Sequence, residues 1–245
     1  MAKNWKIRKD LSIEFYGHTL FRIECTQDFK EIKAGTLGGF IEKEENLDGD
    51  AWVSDDARVY DDARVSDDAK VYGKAKVYDD AQVCGKAKVY DDAKVYDDAW
   101  VCGNAKVCGN VKVYGDAWVS EDAQVCGDAQ VCGNAWVSDD AKVCGDARVY
   151  GYAKVCGDAQ VCGDKITNKY DICYISNRYY NITITPLHIK IGCQYHAQEA
   201  WWNFTDEQIE KMDGESALNF WKIWKEPLKQ ICDAMKKEKG EKDVK

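Results

Sequence analysis

The sequence predicts a mainly β protein built on a parallel β-helix, a triangular prism of short strands stacked turn upon turn. Residues 51–164 divide into nineteen consecutive six-residue units without insertion or deletion, with the pattern Ala-x-Val-[Tyr/Ser/Cys]-[Gly/Asp]-[Asp/Asn/Lys]. The valine column is unbroken, and Val111 is the one departure from the alanine column. A short fixed period of this kind is typical of a solenoid.

Each unit predicts one strand followed by one corner. Side chains alternate between the two faces of a strand, so the Ala and the Val of a unit face inward and the residue between them faces solvent. The following Gly, Asp and Asn residues tolerate the positive φ of a sharp bend. Three units close one turn, and the block therefore predicts about six turns stacked at the ~4.8 Å spacing of strands.

The repeat resembles the hexapeptide-repeat proteins, with Val53 and Val59 in the aliphatic position and Ala51 and Ala57 in the small one. The resemblance implies a left-handed helix, which is not a consequence of the spacing. It also implies a homotrimer of parallel prisms. The stretches 20–24 and 33–40 resemble the lead-in of uncharacterised bacterial and prophage acyltransferase-like β-helix proteins.

Residues 1–50 predict a β-rich N-terminal cap. Ile13–Tyr16 and Phe21–Cys25 alternate like a hairpin around Gly17 and His18. An open end of a solenoid exposes unpaired strand edges, so a cap of this kind is expected there.

The eighteen-residue turn sorts the outward residues onto three faces. The tryptophan face carries Arg64, Gln82, Trp100, Trp118, Trp136 and Lys154. The tyrosine face carries a basic column, beside Tyr60, Tyr78, Tyr96, Tyr114 and Tyr150, that consists of Arg58, Lys76, Lys94, Lys112, Gln130 and Arg148. The cysteine face carries Trp52, Lys70, Lys88, Lys106, Gln124, Lys142 and Gln160, beside Tyr72, Tyr90, Cys108, Cys126, Cys144 and Cys162.

These columns predict contact surfaces. An exposed aromatic strip commonly marks a partner or a ligand, and the Trp column suits packing against a second copy. The Tyr and basic columns suit an aromatic ring or an anion. The alternative is that Tyr and Trp occur here because they favour strands. The stacked cysteines are expected to be reduced, since parallel neighbours suit neither a disulfide nor tetrahedral zinc.

Residues 165–236 predict a small α+β C-terminal cap, and 237–245 a charged disordered tail. Thr205 and Gln208 form a capping box at the start of a helix. A second amphipathic helix begins at Ser216, and Pro227 is expected to interrupt it.

The net charge and the positions of the histidines limit the functions that the sequence predicts. The net charge of −9 argues against general nucleic-acid binding. No signal peptide or membrane span is evident, so a cytoplasmic location is expected. The three histidines, His18, His188 and His196, all lie in the caps. His196 is the candidate general base, with His188 as the other, and no metal site is expected.

The sequence therefore favours a non-catalytic homotrimeric scaffold that binds a protein or a nucleotide-like anion. The prophage resemblance implies an accessory role against a host defence protein. One alternative is an acyltransferase that uses acetyl-CoA, with His196 as its base. Another is mimicry of nucleic acid by corner pairs such as Asp61 and Asp62.

Overall fold

A computed structural model describes residues 3–240. The protein is mainly β: a parallel solenoid of about seven turns is followed by a four-stranded antiparallel sheet and two helices. The first strands are β1 (Trp5–Phe15), β2 (His18–Cys25) and β3 (Leu37–Ile41), and a 3₁₀ turn follows at Glu44–Asn46.

The solenoid strands are short and follow one another at six-residue intervals. They are β4 (Trp52–Val53), β5 (Arg58–Val59), β6 (Arg64–Val65), β7 (Lys70–Val71), β8 (Lys76–Val77), β9 (Gln82–Val83), β10 (Lys88–Val89), β11 (Lys94–Val95), β12 (Trp100–Val101), β13 (Lys106–Val107), β14 (Lys112–Tyr114), β15 (Trp118–Val119), β16 (Gln124–Val125), β17 (Gln130–Cys132), β18 (Trp136–Val137), β19 (Lys142–Cys144), β20 (Arg148–Val149), β21 (Lys154–Val155), β22 (Gln160–Cys162) and β23 (Lys165–Ile166).

The core of the solenoid is the pair of Val and Ala columns. Strands pair with the strand eighteen residues further on, as Lys88 with Lys106 and Val89 with Val107. Every repeat valine is fully buried, and so is every repeat alanine to within 1%. Because one turn cannot enclose this core alone, each turn is stabilised by the turns above and below it.

The hydrogen bonds also give the hand of the winding. The exposed Lys88 points outward, and its N–H donates to the carbonyl of Ala105 in the next turn at 2.8 Å. In an extended L-residue the N–H and the Cα–H lie on opposite sides of the chain. The Lys88 side chain points away from the prism axis, and its N–H points toward the next turn. For an L-residue this combination occurs only when the chain winds as a left-handed helix, as the resemblance implied.

All nineteen first corner residues have positive φ, as the sequence predicted. Eleven are glycines, and the other eight are Asp or Glu with φ between 55° and 60°. Several of these aspartates offset the strain with a charge-assisted hydrogen bond. The Asp67 carboxylate, for example, accepts from the N–H of Gly85 one turn further on at 2.9 Å.

The solenoid begins inside the predicted N-terminal cap, and the prediction of about six turns was one too few. Phe40 pairs with Arg58 and Leu47 with Val65, each eighteen residues apart, so β3 belongs to the first turn. Gly39 stands in the alanine column, where an added Cβ would lie 2.7 Å from the carbonyl of Ala57. Because a Cβ does not fit at this close approach, glycine replaces the alanine of the repeat motif here.

The N-terminal hairpin continues the sheet of the tyrosine face. Strand β1 pairs antiparallel with β2, and β2 pairs antiparallel with β3. Leu20 of the hairpin packs with Phe40 and Tyr60 in a small buried cluster. The hairpin therefore covers both the first strand edge and the top of the Tyr column.

The C-terminal cap has its own core. Its strands are β24 (Cys173–Ile175), β25 (Ile182–Ile184), β26 (His188–Ile191) and β27 (Gln194–Ala197), and its helices are α1 (Gln198–Asn203) and α2 (Asp206–Gly240). The predicted capping box is present, because Gln208 Oε1 accepts from the N–H of Thr205 at 2.9 Å and Thr205 Oγ1 from the N–H of Gln208 at 3.3 Å.

The expected interruption at Pro227 was wrong. Helix α2 continues through Pro227, because Leu228 and Cys232 are buried in the core of the cap and hold the segment in place. The break lies instead at Asp213 and Gly214, whose backbone is not helical. The helix also extends into segment 237–245, whose last five residues lie outside the described chain. Within residues 3–240, neither helix has an apolar stretch long enough to cross a lipid bilayer.

A hydroxyl group placed in the solenoid core should destabilise the protein more than the same residue on its surface. Val107→Thr keeps the volume but places a hydroxyl in the prism, and we expect it to cost about 1–3 kcal/mol of unfolding free energy. The matched control Lys106→Thr alters the adjacent exposed residue and should cost less than ~0.5 kcal/mol. Guanidinium unfolding followed by circular dichroism measures both, and equal losses would contradict the assignment of the two faces.

Candidate functional site

The basic column of the tyrosine face forms the wall of a groove. Arg58, Lys76, Lys94 and Lys112 pair in register one turn apart and line a groove of about 470 Å³. The opposite wall is the preceding corner, which contributes Asp56, Lys74, Asp92 and Asn110. Five cationic side chains thus face two carboxylates.

The four cations of this wall are crowded and form no ion pair with a described residue, although Asp56 and Asp92 lie across the groove. Among the described residues, none of them lies within 4.0 Å of a carboxylate oxygen. Burial, with the neighbouring charges of Lys94 and Arg58, lowers the pKa of the Lys76 ammonium below its ordinary value. An anion in the groove would relieve this repulsion.

The fifth predicted cation, Arg148, stands apart from the groove. It lies on β20, separated from Lys112 by Gln130, and it is not among the residues that line the groove. The groove is therefore confined to the first turns of the solenoid.

The N-terminal hairpin closes the upper end of the groove. The Phe15 ring centroid lies 4.1 Å from the Arg58 guanidinium and 4.9 Å from the Lys76 ammonium. Cation–π contacts of this kind hold the two side chains over the ring. The sequence reasoning missed Phe15, because the repeat register says nothing of where a hairpin outside it will fold.

The Tyr column is a continuous stack. The rings of Tyr60, Tyr78, Tyr96 and Tyr114 lie 5.0–5.1 Å apart and parallel to within 4°. Burial raises the pKa of Tyr78 to about 12, so the hydroxyls stay protonated. Since each ring covers the next, the column offers hydroxyls and ring edges rather than open ring faces to a ligand.

The Trp column forms a partly exposed aromatic strip on the solenoid. Trp100, Trp118 and Trp136 pair in register, with ring centroids 5.1 and 5.3 Å apart. Trp100 and Trp136 remain 36% and 41% exposed. The buried Nε1 of Trp118 has no hydrogen-bond partner, and Lys154 lies 5.4 Å from the Trp136 centroid.

The candidate base His196 lies on β27, away from the solenoid faces. Its ring packs edge-on against Trp201 and Phe204, and Nε2 lies 3.2 Å from Gln194 Oε1. His188 is better oriented, because its Nδ1 lies 2.8 Å from the buried carboxylate of Asp164. The Tyr195 hydroxyl donates to the same carboxylate at 2.7 Å.

The cysteine column was expected to be fully reduced, yet the structure joins one adjacent pair. Cys144 and Cys162 form a disulfide across β19 and β22, with Cα atoms 4.6 Å apart. Cys108 and Cys126 of the same column are free. The eighteen-residue register brings each of these cysteines opposite the next, so one column holds both a bonded pair and free thiols.

One cluster of ionisable residues joins the hairpin to the solenoid. His18 Nδ1 lies 3.0 Å from Glu42 Oε1, and His18 Nε2 lies 3.5 Å from Asp61 Oδ1. The N–H of Asp61 donates to the other Glu42 oxygen at 2.7 Å. These contacts fasten the hairpin to the solenoid, and they bring one nitrogen and two carboxylate oxygens within 4.8 Å of one another.

Comparison with known proteins supports the repeat and little else. A family model described as the YdcK beta solenoid repeat matches residues 57–73, which is about one turn. No curated protein matches the chain. The match supports a β-helix repeat protein, and it bears on neither acyl transfer nor a prophage origin.

The contribution of the His18 contacts to the free energy of unfolding should depend on pH. Its hydrogen bond with Glu42, together with the charge of Asp61, raises the pKa of His18 above the ordinary 6.5, although burial opposes this. A pKa raised by folding contributes stability that is present below pH 6.5 and lost as the pH rises through the folded value.

We therefore expect His18→Gln to lower the unfolding free energy at about pH 5.5 and to have little effect above about pH 8. NMR titration of the His18 ring measures the pKa directly. A value at or below 6.5 would contradict this assignment.

Proposed function

We propose that this chain is a non-catalytic β-solenoid scaffold that binds a nucleotide or a similar small anion in the groove of the tyrosine face. The observation that carries the proposal is the convergence of Arg58, Lys76, Lys94 and Lys112 on one groove, in which cationic side chains outnumber carboxylates. Burying or crowding like charges is unfavourable, and a multivalent anion offsets that cost.

The shape of the groove favours an extended anion. Three steps between strands separate Arg58 from Lys112, or roughly 14 Å at the ~4.8 Å strand spacing. A nucleotide has a comparable overall length, and its phosphates would contact adjacent cations of the column, which are one strand spacing of ~4.8 Å apart. The Tyr column runs beside the basic column, but its residues are not among those that line the groove.

Anion binding should weaken when two lysines of the basic column are replaced by glutamate. We expect a panel of nucleoside triphosphates and cyclic dinucleotides to include a ligand whose affinity falls at least about tenfold in Lys94→Glu/Lys112→Glu, because charge-assisted hydrogen bonds contribute ~1.5–3 kcal/mol each. Isothermal titration calorimetry measures the affinity.

The matched control is Lys88→Glu/Lys106→Glu, which reverses an equally spaced register pair on the cysteine face. It should bind like the wild type. No heat with any nucleotide, or equal loss in both double variants, would remove the anion site.

The Trp column supports assembly into a homotrimer. Packing against a second copy would bury the exposed rings of Trp100 and Trp136, which flank Trp118 on one flat face. A protein partner, such as a host defence protein, is the other occupant of this face. The phage accessory role rests only on the resemblance of the head sequence.

Trimer formation should depend on the Trp column. Native mass spectrometry and sedimentation are expected to give three times the 27.7 kDa chain mass for the wild type, and the monomer mass for Trp136→Glu. Tyr152→Glu changes an exposed corner aromatic and should remain trimeric. A monomeric wild type would refute this assembly.

The hydrogen bond between His188 and the buried Asp164 favours a second candidate, an acyltransferase using acetyl-CoA. A base needs a group that orients it, and Asp164 does so for His188 as Gln194 does less firmly for His196. Acetyl-CoA titration into the wild type, His188→Ala and His196→Ala tests it. Absence of binding to the wild type would eliminate this candidate.

A further inference from the structure

A cavity in the C-terminal cap lies outside the surfaces described above. It has a volume of about 180 Å³ and lies where the two segments of α2 meet the antiparallel sheet. One wall is formed by Ile209 and Met212 before the break in α2, and another by Phe220 and Trp221 after it. The non-helical backbone at Asp213 and Gly214 is what redirects the helix around this space.

The walls of the cavity are mainly apolar and include four aromatic side chains. Tyr180, Trp201, Phe220 and Trp221 line it, and three of the four are almost fully buried. Tyr180 meets Phe220 edge-on at 4.9 Å, and Trp201 lies 5.3 Å from Trp221. The Nε1–H of Trp201 donates to the carbonyl of Ile189 at 2.7 Å, which holds its ring in place.

The charge of the cavity is negative. Asp213 is the one charged residue among those that line it in the described chain, and it is solvent-exposed. The Tyr180 hydroxyl donates to Asp213 Oδ2 at 2.7 Å. The other oxygen, Oδ1, has no hydrogen-bond partner among residues 3–240. This carboxylate repels anions, so the nucleotide proposed for the solenoid groove does not suit this cavity.

We propose that the cavity binds a small organic cation, such as a quaternary or primary ammonium with a short apolar body. Aromatic faces carry the negative part of the ring quadrupole and attract a cation within about 6 Å. Asp213 supplies the neutralising charge at the mouth. A cavity of about 150 Å³ accepts a benzene molecule, so a volume of 180 Å³ suits a ligand of slightly larger size.

The neighbouring Lys225 shows that these rings already attract cations. Its ammonium lies 5.6 Å from the centroid of Trp221, yet Lys225 is not among the residues that line the cavity. The ring therefore has one face engaged by the chain itself. Tyr180, Trp201 and Phe220 remain as the aromatic lining that a ligand would contact.

Choline and its neutral isostere 3,3-dimethyl-1-butanol separate charge from shape. We expect choline to quench tryptophan fluorescence of the full-length chain saturably, and the alcohol to bind at least about tenfold more weakly. Asp213→Asn keeps the acceptor for Tyr180 but removes the charge, and should weaken choline binding by about tenfold. Asp233→Asn, an exposed position further along α2, should leave it unchanged.

Equal binding of choline and the alcohol would overturn the proposal, as would saturable choline binding that is insensitive to Asp213→Asn. Absence of saturable choline binding to a folded wild type would also overturn it. Each of these results is independent of nucleotide binding, since Lys94→Glu/Lys112→Glu leaves the cavity intact.

Discussion

The fold depends on one constraint, the eighteen-residue register that places valine on valine and alanine on alanine. Because the repeat fills the interior of the prism with Val and Ala, each turn offers little apolar area. Stability then accumulates by contact between neighbouring turns. The same constraint arranges the exterior, because residues that are stacked inside necessarily stack outside. The Tyr, Trp and basic columns are therefore consequences of the register.

The parts of the structure governed by that register could be read from the sequence. The faces, the buried columns and the positive φ of the corners follow from a six-residue pattern with no gaps. The first turn escaped notice because Gly39 and Leu47 fill repeat positions without repeating the motif. Phe15 over Arg58 and the break at Asp213 escaped for another reason, since both depend on packing between distant segments that no local pattern encodes.

Each end of the solenoid has an exposed strand edge that must be covered, and the two ends are covered in different ways. The N-terminal hairpin adds antiparallel strands to the exposed edge, and its fastening at His18 ties it to a corner of the solenoid. The C-terminal cap instead builds a separate core and meets the last turn through the buried Asp164. The chemistry of the caps is consequently richer than that of the rod, with every histidine of the chain located in them.

The equivalence of successive turns has an evolutionary consequence. A strand such as β11 pairs with β8 on one side and β14 on the other through the same contacts. An in-frame duplication or loss of eighteen codons would therefore lengthen or shorten the rod by one step of ~4.8 Å without disturbing either end. Recombination within the gene can therefore change the length of the rod by whole turns. Each added turn places one more residue in every column.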